Sequence, residues 1–347
     1  MNKISDSRGK KVFLSICIPS YNRPAELERL LRSIDCTRYA DEIEIVITED
    51  KSPKREEVRT TVEGFRETSP YSVVYHENTE NLGYDHNIRH VAELAGGTWV
   101  MFMGDDDLFL PGALDPYIDF LKGHPETSYV LRRYEALYAD GTTEEFRYDK
   151  KDVFLPAGED SYVEFFRRSV FISGFCFRKE CFTDYSCADY DGTLLFQLYI
   201  EAQICLNYSS AYCDIPITQS IEGGTPYFGH SAAEKDKYTS GSNPASNSLN
   251  FMKQVRVLAD SIDAKNGIHC AQRIMDSYSK YSYGFLLSQR DAGVKIYRDY
   301  AKELKKLGFA GSGYFYLYYW MLLIFGTKGS RGIIRFIKRA LGKTPRL

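Results

Sequence analysis

Three consecutive carboxylates, Asp105, Asp106 and Asp107, follow the apolar run Trp99-Val100-Met101-Phe102-Met103 and Gly104. So apolar a run reads as a buried strand. Acids side by side at its end repel one another, which is tolerable in water and useful where a divalent cation or a ligand hydroxyl is held. Carboxylate oxygens suit Mg²⁺ or Mn²⁺. Mg²⁺ takes one or two protein carboxylates plus phosphate oxygens, so a nucleoside diphosphate is the natural third party. An acidic surface turn is the competing reading, and the triplet alone does not separate the two.

The elements before the triplet decide how it is presented. Val12 to Pro19 is rich in β-branched residues and predicts a strand, followed by the turn Tyr21-Asn22-Arg23-Pro24, with Pro24 placed to open a helix. Leu27, Leu30, Leu31 and Ile34 then recur at helical spacing. Ile43 to Thr48 predicts a second strand ending in Glu49-Asp50-Lys51-Ser52, then a polar helix over 54–68 and a strand over 72–75. A loop holding Gly83 leads to a helix from His86 that stops at Gly96-Gly97. Strands alternating with helices predict an α/β fold, a mostly parallel sheet flanked by crossover helices. Ligands of such sheets bind beyond the carboxyl ends of the strands. Tyr21-Asn22, Glu49-Asp50 and the Asp triplet all fall there.

Downstream, Pro111 to Leu121 predicts a helix, and Tyr129 to Tyr138 and Phe171 to Arg178 further strands. A strongly apolar helix over Thr193 to Cys205 is preceded by Asp189, Asp191 and Gly192. Residues 218–250, rich in Gly, Ser, Thr, Pro and Asn, predict a mobile functional loop. The chain thus divides into a ligand-binding α/β unit over 1–217, the loop over 218–250, a helical extension over 251–310 and a tail over 311–347.

Composition narrows the function classes. Of 347 residues, 44% are apolar, enough for a packed core, and a net charge of -3 gives no basic field for nucleic acid. The eight cysteines show no CxxC or zinc spacing, so reduced thiols in a cytosolic protein are expected. No apolar leader core follows Met1, and no run of about 18 uncharged apolar residues predicts a transmembrane helix.

Four ordered motifs carry a family resemblance: Ser15 to Arg23 (SICIPSYNR), Glu49-Asp50-Lys51-Ser52, Asn81 to Asn87 (NLGYDHN) and Gly104-Asp105-Asp106-Asp107. In order and spacing they resemble inverting family 2 glycosyltransferases with the GT-A fold, a Rossmann-like mixed sheet, and are most similar to the abequosyltransferase-like branch. The resemblance implies transfer of a hexosyl or deoxyhexosyl unit from a nucleotide-sugar donor to a sugar hydroxyl of a bacterial surface polysaccharide precursor. It implies that Pro19, Tyr21, Asn22, Glu49, Asp50 and Gly83 cradle the nucleotide, that Arg23 reaches the diphosphate, and that His86 and Asn87 lie near the diphosphate or sugar. With Gly104 where relatives carry the first Asp, Asp106 takes the metal position, Asp107 assists, and Asp105 falls to the donor side. Which of the three touches Mn²⁺ or Mg²⁺ stays open at this stage. Glu49 and Lys51 also depart from the common pattern. For His86 the alternative is a solvated or capping residue.

Inverting transfer needs a base for the acceptor hydroxyl proton. The resemblance places it at the start of a helix well after the metal motif, where Asp191 and, second, Asp189 stand; helix capping is the alternative for each. Asp184 and Glu201 are weaker candidates. Two rivals remain: a sugar-phosphate nucleotidyltransferase, disfavoured because Val12 to Pro24 holds no glycine for a phosphate loop, and a non-catalytic saccharide-binding module.

The uncharged stretch Tyr314 to Phe325 spans about 18 Å as a helix against about 30 Å of hydrocarbon, too short to cross. Arg331, Arg335, Lys338, Arg339 and Lys343 follow, interleaved with Ile333, Ile334, Phe336, Ile337 and Leu341. This predicts a basic amphipathic helix docked on the cytoplasmic face of an anionic membrane, beside a lipid-linked acceptor. Packing on the catalytic unit or on a second subunit is the alternative.

Overall fold

The computed structural model describes residues 11–341, without the side chains of residues 335 and 337–341. The N-terminal half alternates β1 (Leu14–Ser20), α1 (Pro24–Ser33), β2 (Ile43–Glu49), α2 (Arg55–Thr68), β3 (Ser72–Glu77), α3 (Tyr84–Leu94) and β4 (Trp99–Phe102). β5 (Leu108–Phe109), α4 (Leu114–Gly123), β6 (Tyr129–Leu137), β7 (Thr143–Phe146), β8 (Val153–Leu155) and α5 (Glu159–Phe166) follow. Then come β9 (Phe175–Arg178), α6 (Lys179–Tyr185), α7 (Phe196–Asn207) and β10 (Ser210–Ile221). The helical extension comprises α8 (Ala245–Asn266), α9 (Ala271–Lys280), α10 (Tyr283–Asp291), α11 (Val294–Lys306) and α12 (Gly313–Leu341).

The main path of the sheet runs β3-β2-β1-β4-β9-β6-β10-β5. β3, β2, β1 and β4 are parallel; β9 lies antiparallel between β4 and β6, which restores the first direction for β6 and β10. The sheet is therefore mixed and mostly parallel. Leu14, Ile16 and Ile18 enter one core layer with Leu27, Leu30 and Leu31 of α1, while Cys17 enters the other. This is the period-2 alternation of a strand covered on both faces. Each such aliphatic side chain contributes about 1.5–3 kcal/mol of burial.

Register sets the site. Ser20, Glu49 and Glu77 lie abreast at the ends of β1, β2 and β3, so the turns after them open on one edge. Pro19 costs no ladder bond. Its missing N–H faces the β4 side, where pairing stops at Cys17 opposite Phe102. α7 is buried all round from Phe196 to Cys205, its polar Gln197, Glu201 and Gln203 included, and packs against α5, α6 and α8. All eight cysteines are free; Cys187 is half-buried and the other seven are buried.

Three sequence expectations shift. Residues 218–221 extend β10 and 245–250 open α8, so the loop between them is 222–244. It packs across the strand ends instead of hanging free. Only Phe175–Arg178 of the expected strand over 171–178 pairs in the sheet, because buried Arg132 draws the Phe171 and Ser173 carbonyls aside (2.8 Å each). The tail is two helices that meet at Gly326 (φ 63°, ψ −174°). Ser330 Oγ reaches back to the Met321 carbonyl at 3.2 Å, so the chain turns sharply there. Arg331 pairs with Asp291 at 3.1 Å; the side chains of Arg335, Lys338 and Arg339 and all of Lys343 lie outside the described residues.

Candidate active site

The β1 turn and the acidic triplet are tied together. Asp105 accepts the Tyr21 amide at 3.0 Å and Arg23 Nη1 at 2.8 Å, with Asn22 between them in the left-handed region (φ 63°). Burial pushes the Asp105 carboxyl up to about 6, and Arg23 holds it back from rising further. Arg23 Nη2 lies 3.0 Å from Asp106 Oδ2 and donates to the Thr225 carbonyl at 2.8 Å. One guanidinium thus joins β1, the triplet and the 222–244 segment.

The turn after β2 is built around two acids with different tasks. Glu49 is fully buried and accepts the amides of Lys51 (3.0 Å) and Ser52 (2.6 Å) and the Arg55 guanidinium. It shapes the turn from within and does not line the cavity described below, so the donor-binding role remains an expectation from the sequence. Asp50 accepts the Leu82 amide (2.8 Å), the Asn78 side chain (2.8 Å) and the Gly83 amide (2.9 Å). Burial pushes Asp50 up to about 6 against these three donors. Asn78 also donates to Asn87 at 2.9 Å. Gly83 sits at φ 81°, and a Cβ there would stand 2.3 Å from Ser231 Oγ and 2.7 Å from Glu234 Oε1. Only glycine allows the roof to approach so closely.

That roof is the 222–244 segment. Glu234, almost fully buried, accepts the Tyr84 amide at the start of α3 (2.6 Å) and the Gly229 amide (2.8 Å). An anion at a helix N-terminus is favoured by the helix dipole. Tyr227 meets Tyr21 edge-on at 5.8 Å between centroids and lies under Arg23 at 5.1 Å.

Beneath the roof lies a cavity of about 410 Å³. Pro19, Tyr21, Arg23, Asp50, Gly83, Asn87, Asp105 and Asp106, all singled out in the sequence, line it, as do Tyr227, Glu222 and Glu234. Ser20 joins them with a buried hydroxyl that has no partner in the protein. Asn22 lines the adjoining hollow that runs to Lys54 and Arg29.

Other expected residues stand apart. Asp107 turns inward: the Ser173 hydroxyl donates to Oδ2 and the Ile221 amide to Oδ1 (3.1 Å), and burial pushes it up to about 7. Asp107 therefore lines the neighbouring hollow and not this cavity, and its assisting metal role remains an expectation from the sequence. Asp191 accepts Arg89 Nη2 at 2.8 Å and lies 3.9 Å from His86 Nδ1, beside the first turns of α3 and outside the cavity. Burial and Arg89 push His86 below its ordinary value. Asp189 is exposed and pairs with Lys265 at 3.1 Å. Glu201 is sealed in the α7 core and Asp184 accepts only the Tyr208 hydroxyl at 3.4 Å; neither reaches the cavity.

The sequence reading missed Glu222, Tyr227 and Glu234, which reach the site only because the chain returns over it. It also missed Asp85, a buried acid whose oxygens accept the Leu194 (2.7 Å) and Phe196 (2.9 Å) amides. Asp85 caps α7 and holds Leu194 at φ 64°. Its place one residue after Gly83-Tyr84 in the NLGYDHN motif was the available signal.

Residues 15–177 match the family model for glycosyl transferase family 2, so this stretch is a family 2 glycosyltransferase domain. Among curated proteins, abequosyltransferase RfbV of Salmonella typhimurium is 34% identical over 104 residues, 30% of this chain and 31% of the relative. The GalNAc(5)-diNAcBac-PP-undecaprenol beta-1,3-glucosyltransferase of Campylobacter jejuni is 28% identical over 101 residues, 29% of this chain and 32% of the relative. The chain spans about a third of the length of the curated relatives it matches. Among solved structures, S. aureus TarS 1–349 in complex with UDP-GlcNAc is similar with a TM-score of 0.55 at 15% identity, over 92% of each chain. The GT-A fold with a helical C-terminal region, expected from the sequence, is the fold observed.

Proposed function

We propose that this chain is a metal-assisted inverting glycosyltransferase that moves a sugar from a nucleotide-sugar donor to a saccharide hydroxyl of a surface polysaccharide precursor. One observation carries the reading: Arg23, Asp50 and Asp106, from the ends of three different strands, line a single cavity. Asp50 accepts an imide or amino hydrogen of the base, and the unpartnered Ser20 hydroxyl stands beside it. Arg23 faces the diphosphate. The complex of TarS with UDP-GlcNAc supports a nucleotide-sugar in this cavity.

The donor set fits a divalent cation in one way. Among the described residues no group of three or more His, Cys, Asp or Glu could hold an ion unaided. Asp106 lines the cavity with only its Oδ2 paired, to Arg23 at 3.0 Å, whereas Asp105 and Asp107 have both oxygens engaged. One carboxylate completed by diphosphate oxygens is how Mg²⁺ is commonly bound at phosphate sites. Asp106 would hold Mg²⁺ or Mn²⁺, which when bound neutralises charge on the leaving diphosphate.

The acceptor oxygen attacks the anomeric carbon opposite the leaving diphosphate: the C–O bond to the acceptor forms as that to phosphate breaks, and configuration inverts. The hydroxyl proton passes to a carboxylate. Asp191 holds this role by chain order. Glu222 has the better position, because it lines the donor cavity and its neighbour beyond Asp106.

The acceptor is lipid-linked and the protein works peripherally on the cytoplasmic membrane face. No helix of the described residues is long and apolar enough to cross a membrane. Leu317, Trp320 and Ile324 of α12 are exposed by 58%, 55% and 68% along one helix face. Arg298, Lys302 and Lys305 of α11 line a hollow with Tyr316 and Trp320. Basic residues beside exposed aromatics suit an anionic lipid surface.

The test is a thermal-shift screen of nucleoside diphosphates with Mn²⁺, then release of sugar from the matching sugar nucleotides. A nucleotide that raises the melting temperature with Mn²⁺, and whose sugar is released, supports the reading. Binding with no sugar released returns the protein to the saccharide-binding alternative; no shift with any nucleotide overturns the proposal.

A further inference from the structure

Beyond Asp106 lies a second cavity of about 530 Å³. It shares Gly104, Asp106, Ile172, Ile221 and Glu222 with the donor cavity, so the two adjoin along these residues. Its lining is partly aromatic. Tyr134 stacks on Phe146 at 4.5 Å with planes 2° apart, and meets Phe171 at 4.5 Å. A cluster of rings of this kind gives an apolar patch that can take the C–H groups of a pyranose.

The same lining carries an unusual positive charge. Arg167 lines the cavity; its Nε donates to Ser277 Oγ at 3.3 Å and its Cζ lies 3.9 Å from the Tyr281 ring centroid. Among the described residues no carboxylate lies within ion-pair distance of it. Arg168 beside it is neutralised by Glu164 at 2.6 Å. Beside the aromatic cluster, fully buried Arg132 sits 5.1 Å from the Tyr134 and 4.9 Å from the Phe171 ring centroid, also with no carboxylate partner among the described residues, and its Nη1 has no hydrogen-bond partner. A guanidinium withdrawn from water without a counter-ion is costly. Burial pushes Arg167 below the usual arginine range. An incoming anion would remove that cost.

We infer that the second cavity is the acceptor site and that its acceptor is anionic: a saccharide bearing a phosphate or carboxylate that pairs with Arg167 while its ring lies on the Tyr134–Phe146–Phe171 cluster. This rests on the glycosyltransferase reading and adds the chemical class of the acceptor. The attacking hydroxyl of such a sugar approaches the donor along the residues that both cavities share.

The experiment is calorimetric titration of a methyl glycoside, its 6-phosphate and its 6-carboxylate into the protein with nucleoside diphosphate and Mn²⁺, for wild type, Arg167→Gln and Arg167→Lys. Sugar-nucleotide hydrolysis is measured in parallel. The charged glycosides bind at least about tenfold more tightly than the neutral one, a difference of about 1.4 kcal/mol. The preference is lost in Arg167→Gln and largely restored in Arg167→Lys. Preference for the phosphate alone identifies a phosphorylated acceptor; preference for both identifies charge as the recognised feature. Equal affinity across the three compounds, or a preference unchanged in Arg167→Gln, overturns the inference. Hydrolysis that persists in either case leaves the transferase reading standing, whereas absence of hydrolysis removes both.

Discussion

Glu234 accepts the backbone amide of Tyr84 at 2.6 Å across 150 residues of chain. This contact seats the 222–244 segment on the helix that begins at the nucleotide pocket. Removing its charge leaves a buried helix-start amide poorly served, at a cost of about 1–3 kcal/mol. Glu234→Gln is expected to lower the melting temperature by several degrees and to weaken nucleoside diphosphate binding about tenfold. Calorimetry on the variant checks both, and unchanged nucleotide affinity would show that the roof plays no part in donor binding.

Asp106 and Asp107 are adjacent but serve different ends. Asp106→Asn should cut transfer by about 10²–10³-fold, the scale of losing one electrostatic stabiliser of a transition state. It should also abolish the tightening of nucleotide binding by Mn²⁺. Asp107→Asn should instead lower thermal stability, because its oxygens hold Ser173 and Ile221, while the Mn²⁺ dependence persists. Titrations of nucleotide with and without Mn²⁺ separate the two variants.

The proton acceptor is decided by a pair of substitutions. Glu222→Gln should reduce kcat by about 10²–10⁴-fold, the usual range for a general base, with the donor Kd unchanged. Asp191→Asn should act chiefly on stability through its bond to Arg89. The reverse pattern in single-turnover kinetics would return the role to Asp191.

Two buried acids set opposite responses to pH. Asp50 is pushed up to about 6, and its ionised form accepts the stronger, charge-assisted hydrogen bond from the base. Nucleotide affinity should therefore rise as pH passes from 5 to 7. Asp85 is pushed up to about 7 by burial, against an ordinary value of 3.8. The folded protein thus binds this proton more tightly than the unfolded chain. Its stabilising effect is full in acid and declines as pH climbs from about 4 to about 7. Melting curves of wild type and Asp85→Asn across this window should diverge in slope, with the flatter profile in the variant.

Membrane docking predicts cosedimentation with phosphatidylglycerol vesicles and little with phosphatidylcholine vesicles. Replacing Leu317, Trp320 and Ile324 by Ser should abolish it, and Lys302→Glu with Lys305→Glu should weaken it in a salt-dependent way. A wild-type protein that ignores both vesicle types would leave this surface to another partner.

The parallel half of the sheet was legible because strands covered on both faces must be apolar throughout. Leu14–Ser20, Ile43–Glu49 and Trp99–Phe102 announce themselves, and the polar turns between them mark the ligand edge. Asp50 and the Asp triplet could be placed there for that reason, whereas Arg23 and the choice of Asp106 came from the family motifs. The inward turn of Glu49 and Asp107 could not be read, since a buried acid satisfied by turn amides reads in sequence like an exposed one. The roof was illegible for a different reason. Glu234, Tyr227 and Glu222 gain their meaning from contacts across more than a hundred residues, and no local pattern encodes such a distance. β9 was read four residues too long because the pull of Arg132 on Phe171 and Ser173 is equally non-local.

The thiols give the molecule a convenience. Seven of its eight sulfurs are sealed in the interior, and Cys187 alone stands within reach of a reagent. It lies between α6 and α7, just ahead of Asp189 and Asp191. A maleimide dye would thus settle on a single spot, on the stretch of backbone that Asp85 anchors, and its brightness would follow that stretch without any cysteine having first to be engineered away.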